Sequence, residues 1–329
     1  MAFAKIVGTG RYVPEKIVTN ADLSRIIGED INEFVTQVLG ISERHVCAED
    51  ESTADIATHA AREALKDAKV ASEDLDLIVL ATDTPEQLSP ATSVVVQHRL
   101  GAKNAGTFDV NSACAGFVTA LDAAAKYIIS DSAYRNVLVI GAYAMSKYLD
   151  WKDKKTATIF GDGAGAVVLQ SRENGPGFLA SKLRADGSFH DHMGIYAGGT
   201  HMPTTPQLID EGYWTKVRFH KKYPAEVNTE GWPAIVREVL AKAELRLDDV
   251  KLFLFTQVNL STIKEVMTKL ELPMERTHTI MQHWGYTGSA CIPMVLDDAL
   301  KKRLAGPGDN IVLCASGGGL NMACAAFRL

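Results

Sequence analysis

The 329-residue sequence has no excess of positive charge. Its 40 Asp and Glu residues outnumber 34 Lys and Arg residues, which gives a formal net charge of −6. Nucleic-acid-binding domains usually present a basic surface, so this balance argues against that class of partner. An acidic ligand would need a local basic patch, although a solvated loop is the favoured interpretation of each of the two candidate groups. The groups are Lys152, Lys154 and Lys155, and Lys216, Arg218, Lys221 and Lys222.

Cysteine is also scarce. The five residues are Cys47, Cys114, Cys291, Cys314 and Cys324, and no two have the C-x-x-C spacing of a zinc or redox site. Cys314 and Cys324 stand in apolar strand-like runs, which predicts that both are buried. This usage is typical of a reducing compartment, so we expect a cytoplasmic protein.

Other features that would place the chain in a special class are weak. We find no apolar run long enough to cross a membrane, and the first residues are typical of a strand rather than a signal peptide. We therefore expect no membrane partner. His190, His192 and His201 form a weak candidate for a metal site, because no Cys or carboxylate cluster with ligand spacing accompanies them.

What the sequence does contain is a single internal repeat. The matching pairs are residues 73–80 with 248–255, 120–124 with 295–299, and 136–141 with 310–315. The second member of each pair lies 174 or 175 residues after the first, about half the chain length. Strand-like runs alternate with amphipathic helices in both halves, as an α/β fold requires. We therefore predict a duplicated α/β protein.

The repeat also predicts the domain organisation. We expect one half in residues 1–172 and a second in residues 173–329. Residues 185–230 repeat nothing and are interpreted as an insertion that walls a pocket or covers an edge. In α/β proteins the site lies where strand ends meet, which here is between the two halves.

Cys114 is the strongest candidate for a functional residue. It stands between a short apolar strand pattern and the Ala-rich helical pattern of residues 118–129. A cysteine at the N-terminus of a helix is close to free N–H groups and the positive end of the helix dipole, both of which favour the nucleophilic thiolate.

The motif around Cys114 and several others resemble β-ketoacyl-acyl-carrier-protein synthase III. The motifs are Gly8-Thr-Gly10, Thr19-Asn-Ala-Asp22, Gly40-Ile-Ser-Glu-Arg-His45, Asp109 to Phe117, Phe160 to Leu169, and Gly317-Gly-Gly319. The resemblance runs nearly end to end. It implies the thiolase fold, an α/β fold of two duplicated halves in five αβαβα layers, and a homodimer. It implies no cofactor and no metal.

The resemblance also implies chemistry. Synthase III enzymes form an acyl-cysteine from acyl-CoA and then condense it with a decarboxylating malonyl-carrier protein. Cys114 would accept the acyl group, and the backbone N–H groups of Cys114 and Gly318 would form the oxyanion hole. Acyl-CoA or an acyl-carrier protein is the expected partner, in fatty-acid or polyketide-type biosynthesis.

The sequence departs from this family at two catalytic positions. The family's H-Q-A-N motif is matched by Thr256-Gln-Val-Asn259, so Thr256 replaces the histidine. Its H-G-N-T motif is matched by Trp284-Gly-Tyr-Thr287, so Tyr286 replaces the asparagine. We nevertheless expect Thr256 and Tyr286 to belong to the catalytic site. Both replacements remove side chains that the resemblance assigns to malonyl decarboxylation.

Other matched positions would bind substrate. Phe34 stands where the family has a tryptophan that stacks on CoA, and Lys154 where it has an arginine for the CoA phosphates. Asn259 and Ser316 are the remaining candidates, and Ser316 replaces a phenylalanine.

Three hypotheses follow. The first is an acyltransferase that forms acyl-Cys114 and passes the acyl group on without decarboxylation. The second is a condensing enzyme with altered machinery. The third is a non-catalytic subunit that forms a heterodimer with an active paralogue.

Overall fold

The structure, a computed structural model, describes residues 2–212 and 216–329. The strands are β1 (Phe3–Tyr12), β2 (Lys16–Thr19), β3 (Glu43–Val46), β4 (Leu77–Ala81), β5 (Gly106–Val110), β6 (Asn136–Tyr143), β7 (Gly163–Arg172), β8 (Phe178–Ala185), β9 (Met193–Ile195), β10 (Val217–Phe219), β11 (Val250–Phe255), β12 (Asn310–Gly317) and β13 (Asn321–Arg328). The helices are α1 (Asn20–Ile27), α2 (Asn32–Phe34), α3 (Thr53–Ala68), α4 (Thr92–Leu100), α5 (Gly116–Ser130), α6 (Lys154–Ala157), α7 (Pro206–Asp210), α8 (Glu226–Lys242), α9 (Leu260–Lys269), α10 (Met281–Trp284) and α11 (Cys291–Lys301).

Two sheets with the same strand order form the frame of the molecule. In the first sheet the order is β1-β7-β6-β4-β5, and in the second it is β8-β13-β12-β11. The pairing directions also agree, because β4 and β6 are parallel, as are β11 and β12, and the remaining equivalent neighbours are antiparallel. The duplication predicted from the repeat is therefore confirmed.

Helices cover both faces of each sheet, which gives five layers. α3 and α4 pack on the outer face of the first sheet, and α8 packs on the outer face of the second beside α9. α5 and α11 lie between the sheets and contact strands of both. Strands that are buried on both faces have continuous apolar sequences. β4 is an example, because every one of its residues is buried. The predicted αβαβα thiolase fold is confirmed.

One expectation about apolar runs was wrong. Residues Ala113–Ser130 are long and apolar enough, by length and composition alone, to cross a membrane. In the fold 61% of this segment is buried inside the protein, because it forms α5 and the turn before it, between the two sheets. Burial on both sides explains its apolar composition.

The chain passes from the first sheet to the second between Arg172 and Phe178. The proposed division at residues 172 and 173 falls in this connection, and as a division into domains it stays a prediction. The insertion at 185–230 contains α7 and the antiparallel pair of β9 and β10, whereas its residues 213–215 lie outside the described part of the chain.

Candidate active site

Cys114 lies in a tight elbow between β5 and α5. Ala113, directly before it, has a φ of +47°, a left-handed conformation that is uncommon for residues with a side chain. The elbow is closed by hydrogen bonds from the Ala115 N–H to Ser112 O at 3.1 Å and from the Gly116 N–H to Ala113 O at 2.9 Å. Strained backbone of this kind is frequent at functional sites.

The glycine turn after β12 packs directly against this elbow. A Cβ atom on Gly317 would lie 2.5 Å from Ser112 O and 2.7 Å from Cys114 N, so only glycine allows this approach. Gly318 follows in the same turn and lines the same cavity as Cys114. The two predicted oxyanion-hole residues are thus brought together, and their function as donors stays a prediction.

A cavity of about 150 Å³ opens in front of Cys114. It brings together five predicted site residues: Cys114, Thr256, Tyr286, Ser316 and Gly318. Its opposite wall comes from the insertion and the start of α8, and includes Met193, Phe219, Tyr223 and Asn228. The insertion therefore walls the pocket, but nothing in its unrepeated sequence singled out these residues.

Tyr286 is turned into the pocket. Its ring stacks on Phe160, with the ring centroids 5.7 Å apart and the planes at 25°. Backbone bonds fix the residue, since the Tyr286 N–H donates to Ile159 O and the Gly161 N–H to Tyr286 O, each at 3.0 Å. The phenol is hydrogen-bonded to the Cys114 sulfur. The hydroxyl of Tyr286 therefore lies next to the candidate nucleophile.

The environment of Cys114 keeps its thiol protonated in the resting protein. Burial raises the pKa of Cys114 well above its usual value, and the negative charge of Asp83 raises it further. The hydrogen bond from Tyr286 lowers this pKa but does not reverse the effect. Burial thus outweighs the helix N-terminus, from which the sequence predicted a thiolate. The thiol must lose its proton as it reacts.

Thr256 and Ser316 form a connected polar pair in the cavity. Thr256 is buried, and its hydroxyl oxygen accepts a hydrogen bond from the Ser316 N–H at 3.0 Å. The Ser316 hydroxyl donates to Asn228 Oδ1 at 2.8 Å. The Thr256 oxygen therefore already accepts a hydrogen bond from the backbone, and the hydroxyl can still donate its proton to a substrate.

Phe34 and Lys154 lie together in a neighbouring cleft of about 660 Å³. Phe34 is 61% exposed, and Lys154 Nζ is 2.8 Å from Glu29 Oε1. The cleft shares Ile159 and Phe219 with the cavity at Cys114, so the two spaces adjoin. Four lysines line it, Lys154, Lys155, Lys221 and Lys222, from both basic groups noted in the sequence.

Asn259 is placed differently from the other candidates. Its side-chain oxygen caps α9, accepting bonds from the N–H groups of Ser261 and Thr262 at 2.9 and 3.4 Å. It is not among the described residues that line either space. Its predicted binding of substrate has no contact to support it here and stays a prediction.

The histidines of the insertion gain no support as a metal site. Within residues 2–212 and 216–329, no group of three His, Cys, Asp or Glu side chains is placed to hold a metal ion. His192 instead packs edge-on against Phe189, with ring centroids 4.8 Å apart. The five cysteines are all free and buried, including Cys314 and Cys324 as predicted.

Replacing Tyr286 with phenylalanine should slow alkylation of Cys114 by iodoacetamide about 10-fold at mildly alkaline pH. The phenol stabilises the thiolate, and a hydrogen bond to a charged group contributes about 1.5–3 kcal/mol. Tyr143→Phe is the matched control, because the Tyr143 hydroxyl is buried with no hydrogen-bond partner among the described residues. Equal rates for the wild type and Tyr286→Phe, measured by peptide mass spectrometry, would contradict this assignment.

Sequence similarity to curated relatives establishes the family of this chain. The chain is 37% identical over 325 residues to β-ketoacyl-acyl-carrier-protein synthase III of Caldanaerobacter subterraneus, covering 99% of this chain and 97% of that protein. It is 38% identical over 324 residues to the Aquifex aeolicus synthase III, covering 98% and 99%. The chain belongs to the β-ketoacyl-acyl-carrier-protein synthase III family.

Family models of synthase III match both halves of the chain. The 3-oxoacyl-acyl-carrier-protein synthase III model matches residues 108–187, and the model of its C-terminal part matches residues 240–329. The first match contains the Cys114 elbow, and the second contains Thr256, Tyr286 and Gly318. The resemblance inferred from the motifs is therefore confirmed.

Solved structures of synthase III enzymes have the same fold. The Aquifex aeolicus synthase III aligns with a TM-score of 0.88 at 36% identity, covering 99% of this chain and 100% of that one. The Thermus thermophilus synthase III aligns with a TM-score of 0.90 at 32% identity, covering 99% of both. The priming β-ketosynthase of the R1128 polyketide pathway aligns with a TM-score of 0.88 at 29% identity, covering 99% and 96%.

Proposed function

We propose that this protein is an acyltransferase of the synthase III family. Cys114 takes an acyl group from acyl-CoA or an acyl-carrier protein, and the acyl-enzyme passes it to another nucleophile without malonyl decarboxylation. The observation that carries this proposal is the position of Tyr286. Its hydroxyl lies against the Cys114 sulfur, at the position where the resemblance expects an asparagine that serves the malonyl group.

The geometry around Cys114 supports the acylation half of the proposed reaction. The Cys114 sulfur would attack the thioester carbonyl, the carbonyl carbon–sulfur bond of the donor would break, and the thiol proton would end on the departing thiol. Backbone N–H groups of Cys114 and Gly318 would hold the oxyanion, at about 3 kcal/mol for each donor. The approach of Gly317 to Cys114 N supports this arrangement.

The adjoining cleft suits an acyl-CoA donor. Phe34 offers an exposed aromatic face to the adenine. Lys155 and Lys222 offer positive charge to the phosphates, whereas Lys154 and Lys221 are paired with Glu29 and Asp191. The pantetheine arm would pass Ile159 and Phe219, which line both spaces.

Condensation has less support. Decarboxylation of a malonyl group leaves an enolate, which needs preorganised donors at its oxygen. The one proton of Thr256 and the bulky phenol of Tyr286 replace the two donors implied by the resemblance. A place in fatty-acid or polyketide-type biosynthesis, a homodimer and a cytoplasmic location stay parts of this proposal. The likeness to the R1128 priming β-ketosynthase supports the first of them.

Intact-protein mass spectrometry tests the proposal. The protein is incubated with acyl-CoAs of increasing chain length, and the mass gain is mapped to a peptide. We expect a gain equal to the acyl group, located on Cys114, with at least one donor. Absence of any gain with every acyl-CoA and with acyl-carrier protein would reject the proposal and favour the non-catalytic subunit.

A further inference from the structure

Asp83 is a buried carboxylate with an unused oxygen. Its Oδ1 atom is inaccessible to solvent and has no hydrogen-bond partner among the described residues. The buried carboxylate of Asp162, by contrast, has both of its oxygens hydrogen-bonded. Asp162 accepts from the N–H groups of Cys47 and Ser146 at 2.8 and 2.9 Å. Because buried polar atoms are normally bonded, the unused oxygen of Asp83 calls for an explanation.

The fold places Asp83 at the same sheet edge as Cys114. β4 and β5 are parallel neighbours in which Ala81 is opposite Val110, and the Thr82 N–H donates to Val110 O at 3.1 Å. Asp83 follows the end of β4, and Cys114 follows the end of β5. At the start of α5, a Cβ on Gly116 would be 3.2 Å from the Ala81 Cβ. The two strand ends are therefore in contact through the elbow.

The described lining of the cavity itself contains no base. The described residues that line it include no histidine and no carboxylate, and Thr256 stands at the family's histidine position. The Cys114 thiol is protonated at rest, so its reaction needs a group that removes the proton. Asp83 is the nearby carboxylate whose charge acts directly on the Cys114 thiol.

We propose that Asp83 accepts the proton of the Cys114 thiol during acylation, directly or across one water molecule. This inference rests on the proposed function. The S–H proton moves to the carboxylate as the Cys114 sulfur bonds to the acyl carbon and the donor carbon–sulfur bond breaks. The proton then passes from Asp83 to the departing CoA thiolate, which restores the carboxylate.

The titration of Asp83 fits this task. Burial raises the pKa of Asp83 to about 6, so at neutral pH the group is ionised and still basic enough to accept a proton. The titratable groups that its charge reaches are Cys114 in the elbow, Tyr143 from β6 and Tyr148 on the loop that follows β6. Burial holds the pKa values of these three groups above their usual ranges, so Asp83 is the member that changes charge near neutrality.

Asp83→Asn is the test variant, assayed as the rate of acyl-Cys114 formation from acyl-CoA across pH. In the wild type we expect the rate to rise through pH of about 6 and then to level off. In Asp83→Asn we expect this rise to be lost and the rate at neutral pH to fall about 100-fold, the typical contribution of a positioned base. Asp109→Asn is the matched control. Asp109 lies at the end of β5 and accepts from the N–H groups of Thr92 and Ser93, so its replacement should lower stability and keep the pH profile.

The sign of the effect separates a base from a bystander. Removing the charge of Asp83 lowers the pKa of the Cys114 thiol, which ultraviolet titration of the thiolate measures against Cys114→Ala. A bystander carboxylate would then give faster acylation in Asp83→Asn, whereas the proposal requires slower acylation. Thermal stability should not fall, because a neutral amide replaces a carboxylate that is poorly solvated.

Each outcome of these assays bears directly on the function proposed for Asp83. Acylation of Asp83→Asn at the wild-type rate or faster overturns the inference and leaves the proposed function standing. If Asp83→Asn does not fold, the pH dependence of acylation in the wild type serves as the test instead. An acylation rate that stays constant through pH of about 6 overturns the inference. If the wild type forms no acyl-enzyme, the proposed function and this inference fail together.

Discussion

Cys114→Ala should abolish acyl-enzyme formation, by at least about 10⁴-fold, while the fold is kept. The sulfur is the proposed nucleophile, and no described side chain of the cavity can replace it at the same point of the elbow. Because alanine only removes the sulfur from a buried position, thermal unfolding should remain close to that of the wild type.

Cys291→Ala is the matched control for this experiment. Cys291 is also buried at the start of a helix, α11, in the second half of the chain. Burial raises its pKa to about 12. Its replacement should leave the mass gain intact. An acyl adduct that persists in Cys114→Ala, or disappears in Cys291→Ala, would show that the nucleophile is misassigned.

The double variant Thr256→His/Tyr286→Asn should gain malonyl decarboxylation. It restores the two side chains that the resemblance assigns to the enolate, and removes the ring that stacks on Phe160 from the space beside Cys114. One preorganised donor contributes about 3 kcal/mol, or about 100-fold in rate, so release of CO2 from malonyl-carrier protein should rise about 100-fold or more.

The single variants control this experiment. Thr256→His alone leaves the Tyr286 ring in place, and Tyr286→Asn alone lacks the second donor, so each should gain less than the double variant. CO2 release that stays at the wild-type level in a double variant that still forms acyl-Cys114 would mean that these positions do not limit condensation.

The fold was predictable because its signals are local and repeated. Apolar runs such as those of β4 and β11 recur at a nearly constant offset in the two halves. Cys114 was predictable for the same reason, since its elbow joins a strand pattern to a helix pattern. The extent to which Cys114 is buried was not predictable from these patterns. The burial that raises the Cys114 pKa depends on both sheets and on the insertion, which are distant in sequence.

The placement of some residues could not be predicted, because it depends on contacts between distant parts of the chain. Asp83 carried only the weak signal of a carboxylate just after an apolar strand, and its importance comes from a hydrogen bond that is not made. Asn228 belongs to the unrepeated region and meets Ser316 only in the fold. Asn259 matched a family motif, yet its side-chain oxygen caps α9, which motif matching alone could not show.

The most direct test of the central claim is a single turnover of the acylated protein with malonyl-carrier protein, in which acyl-Cys114 and CO2 are measured together. We predict that acyl-Cys114 persists as long as it does without malonyl-carrier protein and that no CO2 is released above background. Loss of acyl-Cys114 with release of one CO2 for each acyl group consumed would contradict it.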